Sequence, residues 1–314
     1  MTNFQQTLST ITDYIKADIF PGASLALYDG QDWQEHYLGT QDGNHPVVPG
    51  LTYDLASVSK VVGVGTLCLF YLQAGKLDLD EKLSTYYPEV VDKTLTLRQL
   101  LSHSSGIDPF IPNRDDLDQA GLIAAINAIK VKADKPFLYT DINFILLGLM
   151  LEKVSGQTLD KLFDSEIFQP FGMSETQFGP VDLAVPTVKD IPGGTVHDPK
   201  ARVLKEHTGS AGLFSTLKDL EIFVNHYLTD DFAKNMTQNI SQSNKERSVA
   251  WDLQGDWILH TGYTGTFVLI NIPAQRAAIF LSNRTYYKDE RAQWIKDRDA
   301  LIEIMKEELV HSDK

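Results

Sequence analysis

Residues 55–60 read LASVSK, and they open into 61–72, VVGVGTLCLFYL, which carries no charge. Positions i and i+3 share one face of a helix, so a helix starting here points Ser57 and Lys60 the same way. A serine hydroxyl is a poor nucleophile near neutral pH until a neighbouring base takes its proton. A lysine whose pKa is lowered by burial can be that base. The plainer reading makes Ser57 a helix cap. It leaves Lys60 unexplained, because an ammonium at the mouth of an apolar run is costly without a partner. The pattern S-x-x-K is not specific by itself. A second copy, Ser215-Thr216-Leu217-Lys218, is followed by Asp219 and Glu221 and reads as an ordinary helix start capped by Ser215 or Thr216.

Upstream, Phe4, Leu8, Ile11 and Ile15 recur at helical spacing and predict an amphipathic helix. Residues 23–28 and 33–38 predict two strands joined by the turn Asp29-Gly30-Gln31-Asp32. Strand-like material returns only towards the other end, at 248–253, 257–260, 266–272 and 277–283, before a helix over about 288–311. Between these ends the pattern is mostly helical, at 97–102, 117–129, 143–154, 159–168 and 218–228. A lone hairpin is marginal in water. The expectation is therefore an α+β fold, in which one antiparallel sheet joins the N-terminal hairpin to the C-terminal strands between the two terminal helices. A mostly helical domain, 61–244, is inserted into a discontinuous sheet domain, 1–60 and 245–314, with the functional site between them. The loop 178–212 is the longest irregular stretch and a candidate border of that site.

The 314 residues suffice for one large domain or two ordinary ones. A formal charge of −14 repels phosphate backbones and anionic lipid, which disfavours nucleic-acid and membrane-surface partners. The single cysteine, Cys68, excludes an internal disulfide and reads as packing within the apolar run. That run is shorter than the roughly 20 residues a bilayer span needs, so no membrane insertion is expected. The N-terminus lacks the basic and then apolar layout of a signal peptide, and the expected location is the cytoplasm. No HExxH and no dense Cys/His/Asp grouping marks a metal site. Gly63-Val64-Gly65 is an incomplete glycine fingerprint inside a helix, and the G-x-S-x-G elbow is absent. Neither metal nor cofactor is expected, and nothing fixes an oligomeric state.

Two further motifs give Ser57 and Lys60 company. Tyr139-Thr140-Asp141 stands at a helix entrance within 137–148, FLYTDINFILLG, and His260-Thr261-Gly262 precedes the strand-like FVLINI. Together, S-x-x-K, Y-x-N-like and H-T-G resemble the serine β-lactamase and penicillin-binding-protein superfamily, closest to class C β-lactamases and their esterase and DD-peptidase relatives. The blocks LRQLLSHSSGI at 97–107, FILLGLMLEKVSG at 144–156 and SAGLFSTLKDL at 210–220 resemble it too. The resemblance implies Ser57 as nucleophile, with Lys60 and Tyr139 sharing general-base and proton-relay duty. It implies an oxyanion hole from the backbone N–H groups of Ser57 and Tyr263. Asp141, Asn143, His260, Thr261 and Gly262 would bind substrate. His103 is expected to be structural, and His197 and His207 to border the long loop.

Two positions depart from the family pattern. The asparagine of Y-x-N is Asp141, with Asn143 two residues later as a substitute donor, and the lysine of K-T-G is His260. The first adds a negative charge where amide arms of β-lactams are held. The second exchanges a permanent cation for a group that titrates near neutrality, with pH-dependent recognition of substrate carboxylates as the expectation. The implied function is a serine hydrolase working through an acyl-enzyme on small esters or D-amino-acid-type amides and peptides. Two alternatives stand beside it: a true β-lactamase or D-Ala-D-Ala carboxypeptidase, and a non-catalytic protein that binds penicillin or peptidoglycan fragments.

Overall fold

The structure, a computed structural model, describes residues 4–311. Residues 1–3 and 312–314, the outer ends of the expected sheet segments, lie outside the described residues. Six strands form one antiparallel sheet in the order β2-β1-β9-β8-β7-β6. They are β1 (Gly22–Tyr28), β2 (Trp33–Gly39), β6 (Asp252–Gln254), β7 (Trp257–Thr261), β8 (Phe267–Asn271) and β9 (Arg276–Ser282). The N-terminal hairpin joins the C-terminal strands through β1 and β9, with Ala23 opposite Ser282 and Tyr28 opposite Ala277.

Side chains alternate between sheet faces with a period of two. Leu25, Leu27, Leu269 and Phe280 therefore pack on one side with Phe20, Trp294, Leu301 and Met305, between the sheet and the helices α1 (Gln5–Lys16) and α6 (Arg291–Val310). These helices are tied at their ends: the Glu308 carboxylate accepts from the backbone N–H groups of Gln6 (2.9 Å) and Thr7 (3.0 Å). It thus supplies the N-terminal cap that Phe4, with no polar side chain, cannot give. Ala26, Val268, Ile270 and Ile279 face the other way, into the core of the helical region.

That region is organised by α2 (Thr66–Gln73) and α3 (Asp141–Ser155). From Ile142 to Leu151 every residue of α3 is buried, so this stretch of the helix runs through the core with no solvent face, and its last turn reaches the surface. Thr140 caps its start by accepting from Ile142 N, and Gly156, at φ 72°, ends it in the left-handed conformation. Residues 56–73 are apolar enough by length and composition to cross a membrane, yet 78% of the stretch is buried in the fold.

A second sheet was not expected. Here β3 (Thr52–Asp54) and β4 (Gln177–Phe178) flank β5 (Leu213–Thr216), all antiparallel. The strand expected over 248–253 is also shorter than its pattern. Residues 248–251 make a turn closed by Ser248 N donating to Trp251 O (3.1 Å), with Ala250 at φ 70°, and pairing begins only at Asp252. Two further helices matter for the site: the short α4 (Pro199–Leu204) interrupts the loop expected over 178–212, and α5 (Leu217–Thr229) follows β5.

Candidate active site

Three segments distant in sequence meet at Ser57. It lies on a single tight turn, Ala56–Val58, that leads through a wide turn, Val61–Gly65, into α2. Ala56 precedes it at φ 47°, a left-handed conformation that is strained for a residue with a Cβ. The turn is held by Asp54, whose buried carboxylate accepts from Ala56 N (2.8 Å) and from His197 N of the long loop (2.7 Å). Burial pushes the Asp54 carboxyl up to about 6, against the pull of these two N–H groups.

Lys60 is fully buried and has a partner for each N–H of its ammonium. It donates to Ser57 Oγ (2.8 Å), to Asp141 Oδ1 (2.7 Å) and to the Ser210 carbonyl (2.8 Å). Burial alone would lower its pKa, but the charge and hydrogen bonds of Asp141 and Tyr139 together outweigh that and hold Lys60 above its ordinary range. Asp141 is held well below the usual carboxylate range, since the charges of Lys60 and Lys200 overcome its burial. Lys200 Nζ, on the first turn of α4, stands 3.0 Å from Asp141 Oδ2 and 3.2 Å from Asp198 Oδ2. The resting pair is therefore held as an ammonium and a carboxylate.

Tyr139 immediately precedes the cap of α3 and is 39% exposed. Lys60 Nζ lies 5.1 Å from its ring centre, and the His103 ring packs against it, tilted by 30°, with centroids 4.4 Å apart. His103 is a buried residue at φ 54° whose Nδ1 bonds Asn143 Nδ2 at 2.9 Å. Asn143 also accepts from Ser105 Oγ (2.7 Å) and is wholly enclosed. It lies beneath the site, not in it, and this corrects its expected role as a substrate donor.

The third segment is the turn between β7 and β8. Thr264 Oγ1 donates to Asp54 O and Thr266 Oγ1 to Leu55 O, both at 3.0 Å, fastening this turn to the one that carries Ser57. A Cβ on Gly262 would sit 2.1 Å from Thr266 Oγ1 and 2.7 Å from Leu55 O, so only glycine fits. The fastening brings Tyr263 to the mouth of the cavity that Ser57 and Asp141 line. The Tyr263 hydroxyl donates to Asp289, and its ring lies under Arg284, 4.6 Å from the guanidinium.

His260 does not behave as its sequence position suggests. It is 3% exposed, and burial, with the charges of Lys60 and Arg247, holds its pKa well below the ordinary value. The imidazole is neutral at physiological pH, so it is not a titrating anchor for carboxylates. Lys245, Arg247 and Arg298 line a second cavity of about 230 Å³ together with Tyr139, His260 and Thr261, but each is paired there, Lys245 and Arg247 with Asp252 and Arg298 with Asp299. Arg298 Nη1 donates to Thr261 Oγ1 (3.3 Å). The cavity lined by Ser57 is larger, about 710 Å³, and Tyr139 forms a wall of both.

Sequence reasoning missed Asp54, Lys200, Arg247 and Arg298. Only Lys200 carried a signal: Asp198-Pro199 is a helix-start signature within the loop expected to border the site.

The comparisons with known proteins agree with the motifs. An Escherichia coli K12 protein named "Putative D-alanyl-D-alanine carboxypeptidase" is 25% identical, over 76% of this chain and 70% of its own length. Among solved structures, EstCE1, a hydrolase with promiscuous acyltransferase activity, superposes with a TM-score of 0.76 at 19% identity, covering 95% of this chain and 97% of that one. A class C β-lactamase from Rhodobacter sphaeroides gives 0.73 at 19% identity, covering 94% and 99%. The family model described as Beta-lactamase matches residues 9–302, and the chain belongs to the beta-lactamase family, a β-lactamase-type hydrolase whose curated relatives include proteins named as putative D-alanyl-D-alanine carboxypeptidases.

Proposed function

We propose that the protein is a serine hydrolase that forms an acyl-enzyme on Ser57 from small esters and D-amino-acid-type amides. The observation that carries this reading is the full set of Lys60 contacts, which fixes a buried ammonium against Ser57 Oγ. Ser57 Oγ adds to the substrate carbonyl carbon. With Lys60 held as an ammonium, the serine proton passes to Tyr139, whose hydroxyl gives its own proton to the leaving oxygen or nitrogen as that bond breaks. The backbone N–H groups of Ser57 and Tyr263 receive the developing oxyanion. Water then repeats the sequence on the acyl carbonyl, with the proton returning through Tyr139 to Ser57.

Esters are favoured over lactams. An ionised Asp141 accepts hydrogen bonds and donates none, so it cannot itself serve the carbonyl of a lactam's amide arm as an asparagine would, whereas a simple ester needs no such contact and has the better leaving group. A second reading, carboxypeptidase action on D-amino-acid peptides, is supported by the Escherichia coli relative named "Putative D-alanyl-D-alanine carboxypeptidase". The test is a panel of p-nitrophenyl butyrate, nitrocefin and a D-Ala-D-Ala peptide, with quenched samples weighed by intact-protein mass spectrometry. We expect a butyryl adduct mapping to the Ser57 peptide and faster turnover of butyrate than of nitrocefin. An adduct elsewhere defeats the nucleophile assignment, and nitrocefin turnover at or above the ester rate defeats the ester preference.

A further inference from the structure

We propose that Lys200 is a specificity-determining residue that donates a hydrogen bond to a neutral acceptor, such as an amide carbonyl, on the acyl part of the substrate. The inference rests on the Ser57 reading above and deepens it. Lys200 comes from α4, not from any of the three motifs, yet it lines the same cavity as Ser57. Its side chain is only 15% exposed. Asp198 caps α4 by accepting from Ala201 N (2.8 Å) and thereby fixes the turn on which Lys200 stands.

An ammonium has three N–H groups. Asp141 and Asp198 take two of those on Lys200, which leaves a third for the cavity. Asp141 has one oxygen on Lys60 and the other on Lys200, so it does not face substrate as an unpaired anion. The hydrogen-bond donor that an asparagine would have supplied at position 141 is restored from a different element. Charge decides what kind of acceptor suits it. Lys60 and Lys200 are balanced by Asp141 and Asp198, so the cluster is neutral overall and a carboxylate gains no net attraction there. Of the other cations lining this cavity, Arg114 is paired with Asp115, Arg202 donates to the His197 carbonyl and Arg291 lies over the Tyr263 ring, so none belongs to the Lys200 cluster. A carbonyl oxygen needs only a donor, and a donor carrying formal charge makes a stronger bond than a neutral one.

The experiment compares two esters with the same leaving group and chain length: p-nitrophenyl N-acetylglycinate, which has an acyl-side amide, and p-nitrophenyl pentanoate, which has none. Rates are expressed per site, counted by stoichiometric fluorophosphonate labelling of Ser57, so unfolded protein is not scored as lost activity. We expect Lys200→Met to lower the kcat/KM ratio of the amide-bearing ester to the plain one by about tenfold or more. Lys200→Arg, which keeps a charged donor, should return the ratio to within about threefold. Both esters falling together in Lys200→Met, with the ratio unchanged, overturns the proposal and leaves Lys200 acting only through Asp141. A second arm needs no turnover: binding of N-acetylglycinamide to the Ser57→Ala protein, followed by NMR, should weaken about tenfold when Lys200→Met is added. Equal binding with and without Lys200 overturns the proposal, whereas absence of fluorophosphonate label on Ser57 in the unsubstituted protein counts against the nucleophile alone.

Discussion

The chain contains S-x-x-K twice, and the two copies have nothing in common beyond their letters. Ser57 follows a left-handed Ala56, and its Lys60, wholly buried, donates to it at 2.8 Å. Ser215 is a residue of β5 whose hydroxyl pairs with Thr176 Oγ1 (2.8 Å), and its Lys218 is 66% exposed and bound to Glu221. Thr216, not Ser215, caps the helix that follows, accepting from Asp219 N (3.2 Å). The difference lies in the backbone before each serine. A tight turn entering a helix points positions i and i+3 together, whereas a strand ending in a cap separates them onto different elements. Burial then separates the two lysines chemically, since only the enclosed one has its charge fixed by a carboxylate and a carbonyl.

The largest expected effect tests the serines themselves. Ser57→Ala should lower turnover by roughly 10⁴-fold or more, as removal of a nucleophile does elsewhere, and abolish fluorophosphonate labelling, whereas Ser215→Ala should label stoichiometrically. Label retained on the first, or lost from a folded second, would reverse the assignment. The lysines should differ next. Lys60→Ala is expected to reduce kcat by more than about 100-fold, given the usual size of a lost electrostatic or proton-transfer group, while Lys218→Ala changes it by less than about twofold. A mild loss in Lys60→Ala would make the buried ammonium a packing device.

A smaller effect concerns the Asp54 carboxyl under the Ser57 turn. Its folded pKa of about 6 lies above the unfolded value, so its contribution to stability is full below about pH 4 and is lost as pH rises through about 6. Urea unfolding of the unsubstituted protein and of Asp54→Asn should therefore diverge by about 1–3 kcal/mol between pH 4 and pH 7, to the disadvantage of the former. Parallel pH profiles would show that Asp54 is not the titrating group. The smallest effect is on the other copy: Ser215→Ala should lose about 1 kcal/mol of stability with the Thr176 hydrogen bond and keep full activity per folded molecule.

Much of this arrangement was legible before any coordinates. Alternation at 23–28 and 277–283 placed the paired strands, and three motifs in order brought Ser57, Lys60, Asp141 and His260 together. Asn143 was misplaced because spacing along a loop was assumed where a helix had already begun. Two residues along a helix turn a side chain by about 200°, away from the cavity and into the core. The turn at 248–251 read as strand because Val249, Ala250 and Trp251 are apolar, and nothing in that composition announces the left-handed Ala250. The second sheet was invisible because its strands have two to four residues, too few for a period to show. Lys200 and Arg247 were missed for a deeper reason. Each reaches the site through tertiary packing from a segment without periodicity.

The two hydroxyls that fasten the β7–β8 turn to the Ser57 turn join residues more than 200 positions apart, Thr264 to Asp54 and Thr266 to Leu55. Between them they set the spacing of the two N–H groups proposed for the oxyanion. A chain emerging from the ribosome therefore carries Ser57 and Lys60 long before it carries the residues that complete their geometry. Such distant contacts are slow to close, because loop entropy opposes them until most of the chain is present. The reactivity proposed for Ser57 is in this sense a property of the finished chain: until the last strands dock, the serine is an ordinary alcohol.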